Sequence, residues 1–191
     1  MPNARTRLLD PLPLLCLERA RGEQDPDGPL WFPRDYQGNG RHDNPEAYGC
    51  LYVADREASA IVEQLARFRT QRLIPGMLER RGLPLALAAV ELDHRAELLD
   101  LDDPRVLSKH ELRPSLVATR NRTVTQPQAL ELYESRPEAL GLRWWSIHES
   151  LWTNVTLFER ALTRLRLIAV RRLEPGDLAL AEAVDSLGMP S

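Results

Sequence analysis

Apolar and polar positions alternate with two different periods along this chain, and they divide it into short strands and helices that interleave from end to end. Leu12 to Leu17 is an apolar run of strand length, and Tyr48 to Ala54 is a second. From Arg56 to about Arg69 the period lengthens. Ala60, Ile61, Gln64, Leu65 and Phe68 recur at helical spacing, and Asp55 stands where an N-cap is wanted. Pro75-Gly76 breaks the pattern, a short helix is expected around Met77 to Arg81, and Gly82 ends it. Leu85 to Leu92 and Ala96 to Leu101 predict two strands joined by the polar turn Asp93-His94-Arg95. Asp102-Asp103-Pro104 opens short helices through residue 120, and Thr125-Gln126-Pro127 starts another that runs to about Ser135. Leu142 to Ile147, Asn154 to Phe158 and Leu165 to Leu173 predict further strands, and Pro175-Gly176-Asp177 opens a last helix through Val184.

Residues 21–47 interrupt this rhythm with Gly, Pro, Asp and Asn. Too little chain precedes them for a linker, and a long irregular loop within a compact domain usually serves function. The interleaving predicts an α+β fold. Gly38-Asn39-Gly40 is followed by no helix, so the glycine-rich turns of dinucleotide-binding and P-loop folds lack their context here.

The length of 191 residues fits one domain over 1–191. With 25 basic against 28 acidic residues the net charge is −3, which draws the chain to neither nucleic acid nor an anionic membrane. Lys109 is the only lysine, so an anion site would be built from guanidinium groups. The longest apolar stretches, Leu83 to Val90 and Leu165 to Val170, are too short to cross a bilayer. Asp10, Pro11 and Pro13 interrupt the N-terminal apolar run, which argues against a signal peptide. Cys16 and Cys50 lie in apolar runs, where a buried inert thiol and a reducing cytoplasm are expected. His42, His94, His110 and His148 lack ligand spacing, so no metal is expected.

Four windows hold polar residues in unusual settings. Gly38 to Pro45 offers glycines for close backbone approach and Arg41 as an anion donor; a plain surface turn is the simpler reading. Glu63 sits near the apolar side of its helix, where it is either partly desolvated or paired with Arg67 one turn on. Ser146 lies in the aromatic run Arg143-Trp144-Trp145-Ser146-Ile147-His148, either a core strand or a site strand that shares a face with His148. No Gly-x-Ser-x-Gly elbow supports a serine hydrolase. Gln126 beside Pro127 caps a helix or reaches a ligand.

In this order the windows resemble the RES domain, the toxin half of bacterial RES–Xre toxin–antitoxin pairs. Arg19 ends the first strand, and Gly40-Arg41-His42-Asp43-Asn44-Pro45 answers a Gly-Arg-Phe-Asn/Asp-Pro segment. Leu51-Tyr52-Val53-Ala54 leads to the helix with Glu63, and Thr125-Gln126-Pro127-Gln128-Ala129 follows. Gly141 to Ser146 and Asn154 to Phe158 complete the match over about residues 14–160, with a strand and helix at 164–187 appended. Two positions depart: His42 replaces Phe, and Trp144 stands where Tyr is common.

The resemblance implies an ADP-ribosyltransferase-like split β-sheet clasping NAD as substrate, with no other cofactor. It implies cleavage of the nicotinamide–ribose bond by water or phosphate. The alternatives are transfer of ADP-ribose to a protein, or an idle binding module, which His42 favours. Glu63, Arg41 and Ser146 become catalytic candidates, and Arg19, Arg41, Tyr52, Ser146 and Gln126 candidate NAD ligands. The guanidinium groups suit the pyrophosphate, Tyr52 the nicotinamide ring, and Glu63 the cationic ribose that develops as the bond breaks. The implied partner is an Xre-type helix-turn-helix antitoxin, and a homodimer is left open.

Overall fold

The computed structural model of the chain describes residues 12–17, 23, 24, 26 and 28–190, the first six as backbone. It is built on two four-stranded sheets. In the first, β1 (Leu12–Leu17) and β8 (Leu165–Arg172) both pair antiparallel with the ten-residue β4 (Leu83–Leu92), which β3 (Glu79–Arg80) joins at its start. In the second, β2 (Cys50–Ala54), β7 (Thr153–Phe158), β6 (Ala139–Trp145) and β5 (Glu97–Asp100) follow in that order. Only β5 and β6 run parallel. A parallel pair needs a long crossover, and the chain between them supplies α2 (Pro104–Lys109), α3 (Pro114–Val117) and α4 (Arg122–Ser135).

Period-two burial explains the stacking. In β4, Leu85 and Leu87 turn to one side and Ala86, Ala88 and Val90 to the other, and all five are buried. The leucines meet α1 (Glu57–Leu65) and α5 (Leu178–Leu187) through Ile61, Val62, Leu65, Leu180 and Ala183. The opposite side meets Leu51, Val53, Val155 and Leu157 of the second sheet. The far face of that sheet, with Leu99, Leu142, Trp144 and Phe158, packs on Leu107, Val117, Ala129 and Leu132 of α2 to α4. The result is the expected α+β fold on a split sheet with flanking helices.

Several local expectations change. Arg56, not Asp55, precedes α1, and no side chain caps it. The helix expected at Met77 to Arg81 is a 3-10 turn, Pro75–Leu78, followed by β3. Arg81 and Gly82 form a two-residue hairpin turn with φ of 56° and 74°. Both turn positions need positive φ for the strands to keep their twist, so Gly82 closes a hairpin rather than a helix. The polar turn Asp93-His94-Arg95 joins two strands as expected, and there the chain crosses from the first sheet to the second. α4 starts three residues before Thr125, because the Asn121 side chain accepts from the Thr123 amide and Pro127 is tolerated inside the helix.

Candidate functional site

A cavity of about 390 Å³ runs along β2, and every residue from Cys50 to Ala54 lines it. Its other walls come from the loop before β2, from α1, from the β3–β4 hairpin and from Arg122 and Trp144. Arg41, Arg80, Arg81 and Arg122 line it, against Glu63 as the one carboxylate among the described lining residues.

Glu63 projects from the last turn of α1 and is exposed at the cavity wall. The expected desolvation is therefore not its state, and its partner is not Arg67, whose guanidinium lies over the Phe68 ring. Its Oε1 accepts from Asn154 Nδ2 at 2.8 Å and from Ser146 Oγ at 3.2 Å. The Asn154 amide is oriented in turn, because its Oδ1 accepts from Ser59 Oγ at 2.9 Å, one turn before Glu63 on α1. Ser59, Ser146 and Asn154 are buried. One carboxylate oxygen is thus held by a buried polar set, while the group itself is open to solvent.

Ser146 does not lie on a strand. It follows the end of β6, in the turn where its hydroxyl accepts from the His148 amide at 3.2 Å. The expected shared face with His148 is lost. Ser146 is buried behind Glu63 and is not among the lining residues, so its geometry is that of a positioning residue. Burial lowers the pKa of His148, opposed by the nearby Glu63.

Arg41 is 5% exposed. Its Nη1 donates to the carbonyls of Val117 (2.8 Å) and Thr119, and its guanidinium lies 4.5 Å from the Trp144 ring centroid. Part of the fork is therefore spent on the fold, while the residue still lines the cavity. Burial, with Arg122 nearby, lowers its pKa to about 10, while Glu63 acts in the opposite sense. It is a cation at neutral pH.

The loop that carries Arg41 is clamped from all sides, which decides against an ordinary surface turn. Asp43 Oδ2 accepts from the amides of Gly38 (2.8 Å) and Gly40 (2.6 Å), and its Oδ1 accepts from the Tyr52 hydroxyl at 2.6 Å. Gln126 Nε2 donates to the carbonyls of Gly38 and Gly40, and Thr125 Oγ1 to that of Arg41. Gln126 thus neither caps its helix nor lines the cavity; its amide is committed to the loop. Tyr52 lines the cavity, but its hydroxyl donates to Asp43 and accepts from the His42 amide at 2.9 Å. Burial, then Cys50 and Asp43, holds its pKa well above the usual value.

His42 faces away from the cavity. It is 3% exposed, with Nδ1 2.7 Å from Thr156 Oγ1 and its ring edge-on to Trp144 at 5.5 Å. Burial, then Arg41 and Arg122, drives its pKa well below 6.5, so it is a neutral aromatic ring in the core. It fills a phenylalanine's place, and nothing in its position impairs the cavity. Cys50 is buried with its pKa raised by desolvation, as expected of an inert thiol. Arg19, and the side chain of Cys16, lie outside the described residues.

Sequence reasoning missed Asn154, Ser59, Asp43 and Arg122. The signal for Asn154 was available: Asn154 and Thr156 put two polar groups on one face of an otherwise apolar run, Asn154 to Phe158.

A profile of the family described as the RES domain matches residues 17–180. The chain belongs to the RES domain family. The match reaches beyond the expected end near residue 160 and takes in β8 and the start of α5. Among solved structures, the chain is similar to one in the crystal structure of the M. tuberculosis MbcT–MbcA toxin–antitoxin complex. The TM-score is 0.64 and the identity 16%, over 91% of this chain and 88% of that one, a likeness of fold. No curated protein sequence matches. Glu63 and Ser146, the carboxylate and hydroxyl that the resemblance offers as candidates, are in direct contact. None of its described helices is long and apolar enough to cross a membrane.

Proposed function

We propose that this RES domain consumes NAD by breaking the bond between nicotinamide and ribose. The observation that carries the reading is an oriented carboxylate, Glu63, in a cavity whose other charged residues, among those described, are arginines. That combination suits a substrate with an anionic pyrophosphate and a carbon that becomes cationic on reaction.

In this reading Arg41 and Arg122 receive the pyrophosphate, and the Tyr52 ring lies against the nicotinamide end. The glycosidic electron pair leaves with the nicotinamide nitrogen, which departs neutral. Glu63 stabilises the positive charge that develops on the ribose, and because its orientation is fixed beforehand, little reorganisation is needed at that moment. A water molecule adds to the ribose carbon and loses its proton to Glu63 or to solvent. Ser146 and Asn154 hold the carboxylate. Inorganic phosphate in place of water gives ADP-ribose phosphate, and a protein side chain gives ADP-ribosylation. Incubation with labelled NAD distinguishes the three by where the label ends. Release of nicotinamide by the wild type and its loss in Glu63→Gln test the reading; a folded Glu63→Gln protein with full turnover defeats it.

Consumption of NAD arrests growth, so the biological role that fits is a toxin held in check by an antitoxin, and the fold-level likeness to a toxin–antitoxin complex supports this. An Xre-type helix-turn-helix protein that covers the cavity is the partner this role calls for. Co-expression with the protein encoded beside it tests the pairing.

A further inference from the structure

The cavity extends well past the carboxylate. Asn154, which holds Glu63, pairs with Ala54 at one end of β2. Cys50 stands at the other end of the strand, about 13 Å away along extended chain. A nicotinamide riboside placed at Glu63 fills the first end only.

The Cys50 end has an aromatic wall. Trp31 and Tyr36 both line the cavity, and their rings meet edge to face with centroids 5.7 Å apart. Tyr36 is 72% exposed, yet the chain on either side of it is anchored. Arg34, two residues before, donates to the carbonyls of Pro45 and Glu46 and lies 3.5 Å from the Glu159 carboxylate. Gln37, the next residue, grips the Cys50 backbone twice, donating to its carbonyl and accepting from its amide at 2.8 Å. The Arg81 guanidinium, 5.4 Å from the Tyr36 ring centroid, braces that ring from the β3–β4 hairpin. The wall is therefore fixed in place before a ligand arrives. In an edge-to-face pair the ring that gives its edge keeps its own faces free, so a flat base still finds a surface there.

Resting on the reading above, we propose that Trp31 and Tyr36 are the stacking surface for the adenine of the dinucleotide, and that this surface makes the site select NAD over nicotinamide mononucleotide. The mononucleotide carries the same scissile bond and one phosphate, but no base to reach the second end. A base stacked on an aromatic side chain contributes enough binding to decide between two such substrates. Because the base lies far from the reacting carbon, its contact is the same before and during bond breaking, and the selection acts through KM.

The test compares nicotinamide release from NAD and from nicotinamide mononucleotide. The wild type is expected to favour NAD by about tenfold or more in kcat/KM. Tyr36→Ala and Trp31→Ala are each expected to cut that preference about fivefold or more, through KM for NAD, and Tyr36→Phe to keep it. Tyr36 is exposed, so unchanged melting of Tyr36→Ala verifies the fold. A wild type that uses both substrates equally well overturns the inference and leaves the proposed function standing. So does a preference for NAD that survives in both alanine variants, or a loss that falls on both substrates alike. Folded wild-type protein that releases nicotinamide from neither overturns the inference together with the reading beneath it.

Discussion

Replacing Asn154 with alanine tests whether the carboxylate is active because it is held. Asn154 is 3% exposed and joins two partners: it donates to Glu63 Oε1 at 2.8 Å and accepts from Ser59 Oγ at 2.9 Å. Asn154→Ala removes both bonds. A hydrogen bond to a charged group contributes about 1.5–3 kcal/mol. Expressed wholly in the transition state, that is about a ten- to hundredfold loss in kcat. KM for NAD should hardly move, because Glu63 faces charge that appears only as the bond breaks. The stability cost is separate. The Ser59 hydroxyl is left buried without its acceptor, at about 1–3 kcal/mol. Ser59→Ala breaks the same Ser59–Asn154 bond and leaves Asn154 on Glu63, so it shares a stability cost and should retain most of kcat. Nicotinamide release, measured alongside chemical denaturation, separates the two variants. If Asn154→Ala folds and keeps kcat within about twofold, or if both variants lose activity in proportion to stability, the positioning argument is wrong.

Glu63→Gln should lower NAD turnover about a hundredfold or more. Its side chain is exposed, so stability should shift by no more than about 0.5 kcal/mol; denaturation curves check this. Gly40→Ala puts a Cβ onto Asp43 Oδ1 and 2.6 Å from the Tyr52 hydroxyl. The clamp on the loop should loosen, and both melting temperature and dinucleotide affinity should fall together. His42 has a folded pKa depressed by burial, so below about pH 6.5 the unfolded chain binds a proton that the folded one does not. Stability should therefore decline as pH falls from 6.5, and His42→Phe should flatten that part of the profile without loss of turnover, as followed by denaturation between pH 4.5 and 7.5. Arg41 loses its charge as pH rises through about 10. Dinucleotide affinity should drop there, and a flat affinity between pH 8 and 11 would remove Arg41 from the anion site.

Much of the architecture was legible because hydrophobic period is a local property. Leu12–Leu17, Cys50–Ala54 and Leu165–Arg172 follow from apolar runs of strand length, and α1 from apolar residues at helical spacing. The errors fall where neighbours in space outweigh neighbours in sequence. Met77 to Arg81 has helical composition, yet pairing with Leu83 and Pro84 turns its end into a strand. The polar turn at Asp93 to Arg95 is where it was expected, but that the chain changes sheets there, with the Asp93 amide donating to the Arg164 carbonyl, was decided by packing. Of the site, the glycine-rich loop, Glu63 and Ser146 were legible as residue types in an unusual order.

The sequence by itself determined the α+β class, the strands that form the core, the membership in the RES family, and arginine as the prevailing cation for an anion site. Each of these depends on residue identity and short-range spacing. Only the tertiary structure decided that Glu63 is held rather than desolvated, that Ser146 stands behind it, that Gln126 serves the loop, and that His42 belongs to the core. Those roles are set by pairs up to 114 positions apart, such as His42 with Thr156, Gln126 with Gly38 and Asn154 with Glu63. A hydrogen bond depends on distances of a few ångströms, and for residues so far apart along the chain only the packing of the two sheets fixes those distances.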